Sequence, residues 1–120
     1  MIKDSILCEG SLIEADEITN SIIGPRSVIK RRSIIRDSYL MGNDFYEPPV
    51  KNTERLPEKL FVGEDCIINR TILDKNIYIG NHVRLVNKEN LSHYDGNGVY
   101  IRDGIIIVAR GTHVPDGFCL

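Results

Sequence analysis

Basic side chains give this sequence its clearest potential for binding chemistry. Several guanidinium and ammonium groups on neighbouring strands can hold one phosphate through charge-assisted hydrogen bonds. The same charges commonly lie on a solvated surface, where each ion pair contributes little. Spacing alone leaves both interpretations open, because it does not show which groups converge. The candidates are Arg26, Lys30, Arg31, Arg32 and Arg36 in one stretch, and Lys75, Arg84, Arg102 and Arg110 further along.

The three histidines, His82, His93 and His113, are the candidates for acid–base or metal chemistry. A histidine can serve as a general base near neutral pH, and three imidazoles with an open fourth position can hold a catalytic zinc ion. An isolated histidine does not make a site, and His93 lies in a polar segment away from the other two. We therefore predict no metal site and no catalytic residue in this sequence.

Composition limits the classes of partner. The cysteines Cys8, Cys66 and Cys119 are far apart and lack CxxC spacing, which indicates free thiols in a reducing compartment. A net charge of −2 and a pI near 5.9 give no general attraction to nucleic acid or to an anionic membrane. Neither a signal peptide nor an apolar run of about 18 residues is present. The sequence therefore predicts a soluble intracellular protein with no nucleic-acid or membrane partner.

A two-residue rhythm indicates the elements that would position these side chains. A small or β-branched residue is followed two positions later by an aliphatic one, and residues at i and i+2 of a strand point to the same face. A period near six is typical of hexapeptide β-helices, whereas such intervals do not follow one stripe of an α-helix. Every third unit is short, which closes a triangular coil of about 17 residues. The pairs are Ser5/Leu7, Ser11/Ile13, Ser21/Ile23, Ser27/Ile29, Ser33/Ile35, Ser38/Leu40, Cys66/Ile68, Thr71/Leu73, Ile77/Ile79, Val83/Leu85 and Thr112/Val114.

Two segments interrupt the rhythm. Residues 43–61 carry three prolines and mixed charge, and residues 86–104 are polar and contain glycine, with VYI as a candidate short strand, so both segments are predicted to be loops extruded from the core. The remaining residues, about 80, support about four to five coils. The sequence thus predicts one all-β domain over residues 1–120, a triangular parallel β-helix. Turn formers that suit its left-handed or cramped corners are Gly24, Gly63, Asp74 and Gly80.

A β-helix of this kind can itself be an enzyme. Hexapeptide-repeat acyltransferases use a histidine as general base between the coils of a trimer. Under this alternative the chain is a stand-alone acyltransferase that binds acyl-CoA, with His82 or His113 as the base. Both residues lie next to inward-facing positions, so we expect their side chains to project outward.

Four segments resemble the C-terminal β-helix domain of ADP-glucose pyrophosphorylase (glucose-1-phosphate adenylyltransferase). They are NSIIGPRSVI, IIRDSYLMGNDFYE, ILDKNIYIGNHVRLVNKEN and YIRDGIIIVARGTHVPDG, in the family's order and across nearly the whole chain. The patterns LMG-D-YE and LDKN-IG-V are specific, because a β-helix does not require them. The chain is most similar to the plant and cyanobacterial type. The resemblance implies a single-stranded left-handed parallel β-helix.

The resemblance also implies a larger enzyme. The parent converts ATP and glucose 1-phosphate to ADP-glucose and diphosphate with magnesium, in glycogen or starch biosynthesis. Its nucleotidyltransferase domain precedes the β-helix, and we expect that domain to be absent here, because the sequence has no GxGTRLxPLT-like loop. We therefore expect these residues to be inactive alone and to use no cofactor, whereas the parent uses ATP and magnesium.

For the domain itself the resemblance implies assembly into a homotetramer and a share of an allosteric site for phosphorylated metabolites. Two lysines bind the activator in relatives. They correspond here to Lys75, in the DKN segment, and to Arg110, where arginine keeps the charge and adds a two-pronged donor. Arg84 and Arg102 match positions that tend to be basic and are further candidates. The expected partners are the N-terminal catalytic domain, other copies of the chain and a phosphorylated effector, in the cytoplasm of a bacterium or the plastid of a plant.

Overall fold

The computed structural model describes residues 1–44 and 60–120, so residues 45–59 of the first predicted loop lie outside the described residues. Within the described ranges there are sixteen short strands and no helix, hence no helix that could cross a membrane. The strands are β1 (Ile2–Lys3), β2 (Ile6–Leu7), β3 (Leu12–Ile13), β4 (Glu17–Thr19), β5 (Ile22–Ile23), β6 (Val28–Ile29), β7 (Ile34–Arg36), β8 (Tyr39–Leu40), β9 (Ile67–Asn69), β10 (Thr71–Leu73), β11 (Tyr78–Ile79), β12 (Arg84–Leu85), β13 (His93–Asp95), β14 (Val99–Arg102), β15 (Ile105–Val108) and β16 (His113–Val114).

Parallel strands form three faces. The first sheet has the order β1-β4-β7-β9-β12, and in the second β2, β5, β8, β10 and β15 pair in parallel. The third face contains the pairs β3-β6 and β11-β16, and Val62 bridges Ile29 and Ile79 between them. From β1 to β12, strands that follow one another in the chain thus fall on different faces, which confirms an all-β parallel β-helix. The coil count and the first extruded loop stay predictions, because residues 45–59 are not described.

Inward-facing aliphatic residues stack in columns from strand to strand. In the first sheet Ile18 pairs with Ile35 and Ile35 with Ile68, and all three are 0% exposed. In the second sheet Leu73 pairs with Val108, and both are buried. Burial of each such side chain contributes about 1.5 to 3 kcal/mol. The columns confirm that the aliphatic member is buried in the pairs from Ser21/Ile23 onward, whereas Leu7 in the first coil is 40% exposed.

Where the first member of a pair is serine, cysteine or threonine, its side chain binds backbone groups at the corners. Ser33 is fully buried, and its Oγ donates to the carbonyl of Gly63 at 2.7 Å and accepts from the amide of Cys66 at 3.2 Å. Cys66 takes the same position one coil later, with its Sγ 3.1 Å from the carbonyl oxygen of Gly80. Its burial raises the pKa of the thiol. The three cysteines are free, as predicted.

Several corners place residues other than glycine in the left-handed region. Arg26, Arg32 and His82 have φ angles of 56°, 61° and 58°, although this region favours glycine, asparagine and aspartate. Gly24 serves a different purpose, because a Cβ there would collide with the backbone of Met41 in the next coil. Glycine is therefore required at position 24 because the next coil is too close for a side chain, and not because its backbone is left-handed.

The segment 86–104 returns to the core, which corrects the prediction of an extruded loop there. β13 pairs with β14 and β14 with β15, both antiparallel, so the hairpin extends the second sheet. Val99 is 4% exposed and Ile101 is 0% exposed, and both belong to the hydrophobic core. The physical reason is that β15 presents a free edge, and a strand with two inward apolar residues can pair with it.

Candidate anion-binding site

Two neighbouring corners position Lys75 and Arg110. Lys75 follows β10, and Arg110 lies in the turn after β15. These strands pair in parallel, so residues that follow them stack at the same corner of the fold. The amide of Gly111 donates to the carbonyl of Lys75 at 3.1 Å and joins the two turns. Two residues distant in sequence are thereby brought side by side.

Lys75 and Arg110 converge on one carboxylate, that of Asp44. The Nζ of Lys75 lies 3.3 Å from Oδ1 of Asp44, and an Nη of Arg110 lies 3.0 Å from Oδ2. Asn76 also contacts Asp44, since its Nδ2 donates to Oδ2 at 3.1 Å and its Oδ1 accepts the Asp44 amide at 2.9 Å. An ammonium, a guanidinium and an amide thus surround a single two-oxygen anion.

Asp44 is held in its charged form. The pKa of its carboxyl lies below 3.8, first because of the hydrogen bond from Asn76 and second because of the hydrogen bond from Lys75. The side chains remain open to solvent, with 46% of Lys75, 63% of Arg110 and 36% of Asp44 exposed. The ion pairs of Asp44 with Lys75 and Arg110 therefore lie at the surface of the fold. We call Asp44, Lys75, Asn76 and Arg110 the Asp44 cluster.

The sequence identified Lys75 and Arg110 as candidate effector-binding residues but gave no indication that Asp44 belongs to the same site. Asp44 lies in the LMGNDFYE stretch, which served only to support the resemblance. The one available signal for Asp44 was that its carboxylate lies within a stretch that breaks the repeat. Its partners lie 31 and 66 positions away, so nothing local in the sequence links them.

Arg84 and Arg102 have partners of their own. An Nη of Arg84 donates to the carbonyls of Asp65 and Val83. Arg102 lies on β14, where its Nη atoms reach Oδ1 of Asp95 at 2.6 Å and the Tyr94 carbonyl at 3.0 Å. Neither arginine shares these partners with the Asp44 cluster. Their role in effector binding stays a prediction.

The basic residues near the start of the chain are paired with local groups. Arg32 forms a two-pronged ion pair with Asp65, at 2.8 and 3.0 Å, and Arg36 forms one with Glu17, at 2.6 and 3.2 Å. The hydrogen bond from Arg36 lowers the pKa of Glu17. The remaining members make single contacts: Arg31 with Glu64, Arg26 with the Asn43 carbonyl, and Lys30 over the ring of Phe61.

The histidines project outward, as predicted for His82 and His113. His82 has 66% of its side chain exposed and lies 4.0 Å from Asp65. His113 packs against the ring of Tyr78, with centroids 4.2 Å apart. Within residues 1–44 and 60–120, no group of three His, Cys, Asp or Glu side chains could hold a metal ion. The acyltransferase alternative stays a prediction.

Comparison with protein families matches nearly the whole chain to a β-helix family. The family model described as "GLGC left-handed parallel beta-helix domain" matches residues 1–119. The match extends over both the coiled strands and the hairpin of β13 and β14, and it agrees with the left-handed coil that the sequence resemblance implied.

Proposed function

Because this chain belongs to the GLGC left-handed β-helix family, the C-terminal domain of ADP-glucose pyrophosphorylase, we propose that it acts as a regulatory and assembly domain of such an enzyme. The parent enzyme joins ATP and glucose 1-phosphate into ADP-glucose and diphosphate. We assign the described residues no chemical step in that reaction. Their proposed task is to bind a phosphorylated metabolite and to hold subunits together.

The observation that carries the regulatory proposal is the convergence of Lys75 and Arg110 on one anion. A phosphate group presents charged oxygens, as the Asp44 carboxylate does, and would bind between the same ammonium and guanidinium groups. Charge-assisted hydrogen bonds of this kind are the strong ones. A guanidinium suits a phosphate because it offers two parallel donors.

Regulation requires that the bound effector favour one state of the parent enzyme. We propose that its phosphate is held by Lys75 and Arg110 while other parts of it contact the catalytic domain. An effector that binds one arrangement of the two domains more tightly shifts the population toward it. The open face of the Asp44 cluster leaves room for such a second contact.

The assembly proposal is supported by apolar side chains on the outside of the fold. Ile6, Ile22 and Tyr39 lie next to one another across the second sheet and are 60%, 39% and 44% exposed. Met1 and Leu12, near the first strands, are 66% and 62% exposed. Exposed apolar patches of this kind mark interaction surfaces. We propose that they contact the catalytic domain or other subunits of a tetramer.

The regulatory proposal is tested by Lys75→Ala and Arg110→Ala in the parent enzyme. Each change should raise the effector concentration for half-maximal response by roughly tenfold to a hundredfold, because a charge-assisted hydrogen bond is lost. Lys88→Ala and Arg31→Ala are matched controls, since both remove an exposed cation elsewhere on the fold. They should leave the response unchanged.

The number of subunits in each variant must be measured in the same experiment, by light scattering on the enzyme as it elutes from a size-exclusion column. Lys75 and Arg110 are not part of the exposed apolar surface proposed for assembly, so their removal should leave the subunit number unchanged. An unaltered effector response in an intact assembly would remove both residues from the proposed site.

A further inference from the structure

We propose that the Asp44 carboxylate is a built-in occupant of the anion site, which an effector phosphate must displace. The inference rests on the proposed function and adds a competitor to it. Asp44 would set how strongly charged a ligand must be in order to bind between Lys75 and Arg110. It is thus a specificity-determining residue that acts by occupying the site.

The fold holds Asp44 in this place. The preceding residue, Asn43, is only 7% exposed, and its Nδ2 donates to the Arg26 carbonyl at 2.9 Å while its amide donates to the Pro25 carbonyl at 2.8 Å. The amide of Asp44 itself donates to Asn76. The carboxylate is therefore delivered to the two cations from an anchored backbone.

The backbone just before this anchor is itself specialised. Gly42 has a φ of 88°, and a Cβ at this position would collide with the backbone of Pro25 and Gly24. A side chain at position 42 would therefore strain the approach to Asp44. The tight turn and the buried Asn43 together explain why the carboxylate reaches the cluster.

The Asp44 carboxylate and a phosphate cannot bind Lys75 and Arg110 at the same time. One oxygen of Asp44 faces Lys75 and the other faces Arg110, so both cations point their donors at the same anion. A phosphate that bound the same donors would take the place of these oxygens. Asp44 also offsets one of the two positive charges, which weakens the attraction of the site for any anion.

The charges in the cluster predict a minimum ligand charge for binding. A doubly charged phosphate gains more from two cations than a singly charged carboxylate does, so it can replace Asp44 where a free carboxylate ligand cannot. With 36% of its side chain exposed, Asp44 can swing into water when it is displaced. Asn76 then keeps a donor, its Nδ2, free for the incoming oxygen.

The test is a calorimetric titration of inorganic phosphate into the parent enzyme. The phosphate binding that is lost in Lys75→Ala and Arg110→Ala is the part that belongs to this site. Asp44→Asn keeps the shape and removes the charge, and it should tighten this part of the binding roughly three- to fivefold, the upper end of the scale of an exposed ion pair. The gain should disappear when Lys75→Ala is added to Asp44→Asn.

Asp103→Asn is the matched control. Asp103 is exposed, has a left-handed backbone that asparagine tolerates, and lies at the turn between β14 and β15. It should leave the dissociation constant within about twofold, because Asp103 precedes β15 whereas Arg110 follows it, and salt screens exposed charges that are apart. A gain equal to that of Asp44→Asn would assign the effect to net charge and overturn the inference.

The remaining outcomes separate the two proposals. Unchanged or weaker phosphate binding in Asp44→Asn, with binding still dependent on Lys75 and Arg110, overturns the internal competitor and leaves the effector site in place. Phosphate binding that depends on neither cation overturns the effector site and the inference with it.

Discussion

Replacement of Ser33 by alanine should destabilise the fold strongly, because a buried hydroxyl links two coils. Its Oγ donates to the Gly63 carbonyl and accepts from the Cys66 amide, and the residue is 0% exposed. Alanine removes both bonds and leaves a buried acceptor and a buried donor without this partner. Each orphaned group costs about 1 to 3 kcal/mol. The expected loss in the free energy of unfolding for the two groups is therefore about 2 to 6 kcal/mol.

Ser5 provides a control with the same bonding pattern and less burial. Its Oγ donates to the Lys3 carbonyl at 2.9 Å and accepts from the Ser21 amide at 3.2 Å, but it lies in the first coil and is partly exposed. Water can replace both bonds there. Ser5→Ala should therefore cost less than about 1 kcal/mol.

The assay is urea unfolding followed by far-ultraviolet circular dichroism, with tyrosine fluorescence as a second probe of two-state behaviour. Ser33→Ala should lower the midpoint and leave the slope unchanged. Equal losses for Ser33→Ala and Ser5→Ala would refute the claim that the small residue of each repeat serves to satisfy buried corner groups.

Two further predictions concern titration and reactivity. Arginine hydrogen bonds hold the pKa values of Glu17, Asp65 and Asp95 below 4.5, 3.8 and 3.8 respectively; their stabilisation is therefore present above about pH 4.5 and is lost as the pH falls through the lowered values. The urea midpoint should drop between pH 5 and about pH 3, and a rise over that range would contradict the assignment. Burial raises the pKa of Cys66 whereas Cys119 is exposed, so iodoacetamide should modify Cys119 well before Cys66 in the folded protein, and equal rates would be the contrary result.

The repeat could be predicted from sequence because its physical cause is local. A strand places i and i+2 on one face, so pairs such as Ser33/Ile35 reveal which residues face inward. The family resemblance rested on departures from that rhythm, such as LMGNDFYE and LDKN. Both signals can be read from a few adjacent residues, and both the parallel β-helix and the family match agree with them.

Other features depend on contacts between distant residues and could not be predicted. The hairpin of β13 and β14 joins the second sheet because β15 offers it an edge, which polarity and glycine content do not show. The approach of Arg110 to Asp44 depends on the register between β10 and β15. Left-handed corners at Arg26 and His82 were missed as well, because packing overrides the usual preference for glycine.

The most direct measurement of the proposed effector site is a crystal structure of the parent enzyme with inorganic phosphate bound. The proposal predicts phosphate between the Nζ of Lys75 and the guanidinium of Arg110, with the Asp44 carboxylate turned into solvent. Phosphate bound elsewhere, with Asp44 still contacting both cations at saturating phosphate, would contradict it.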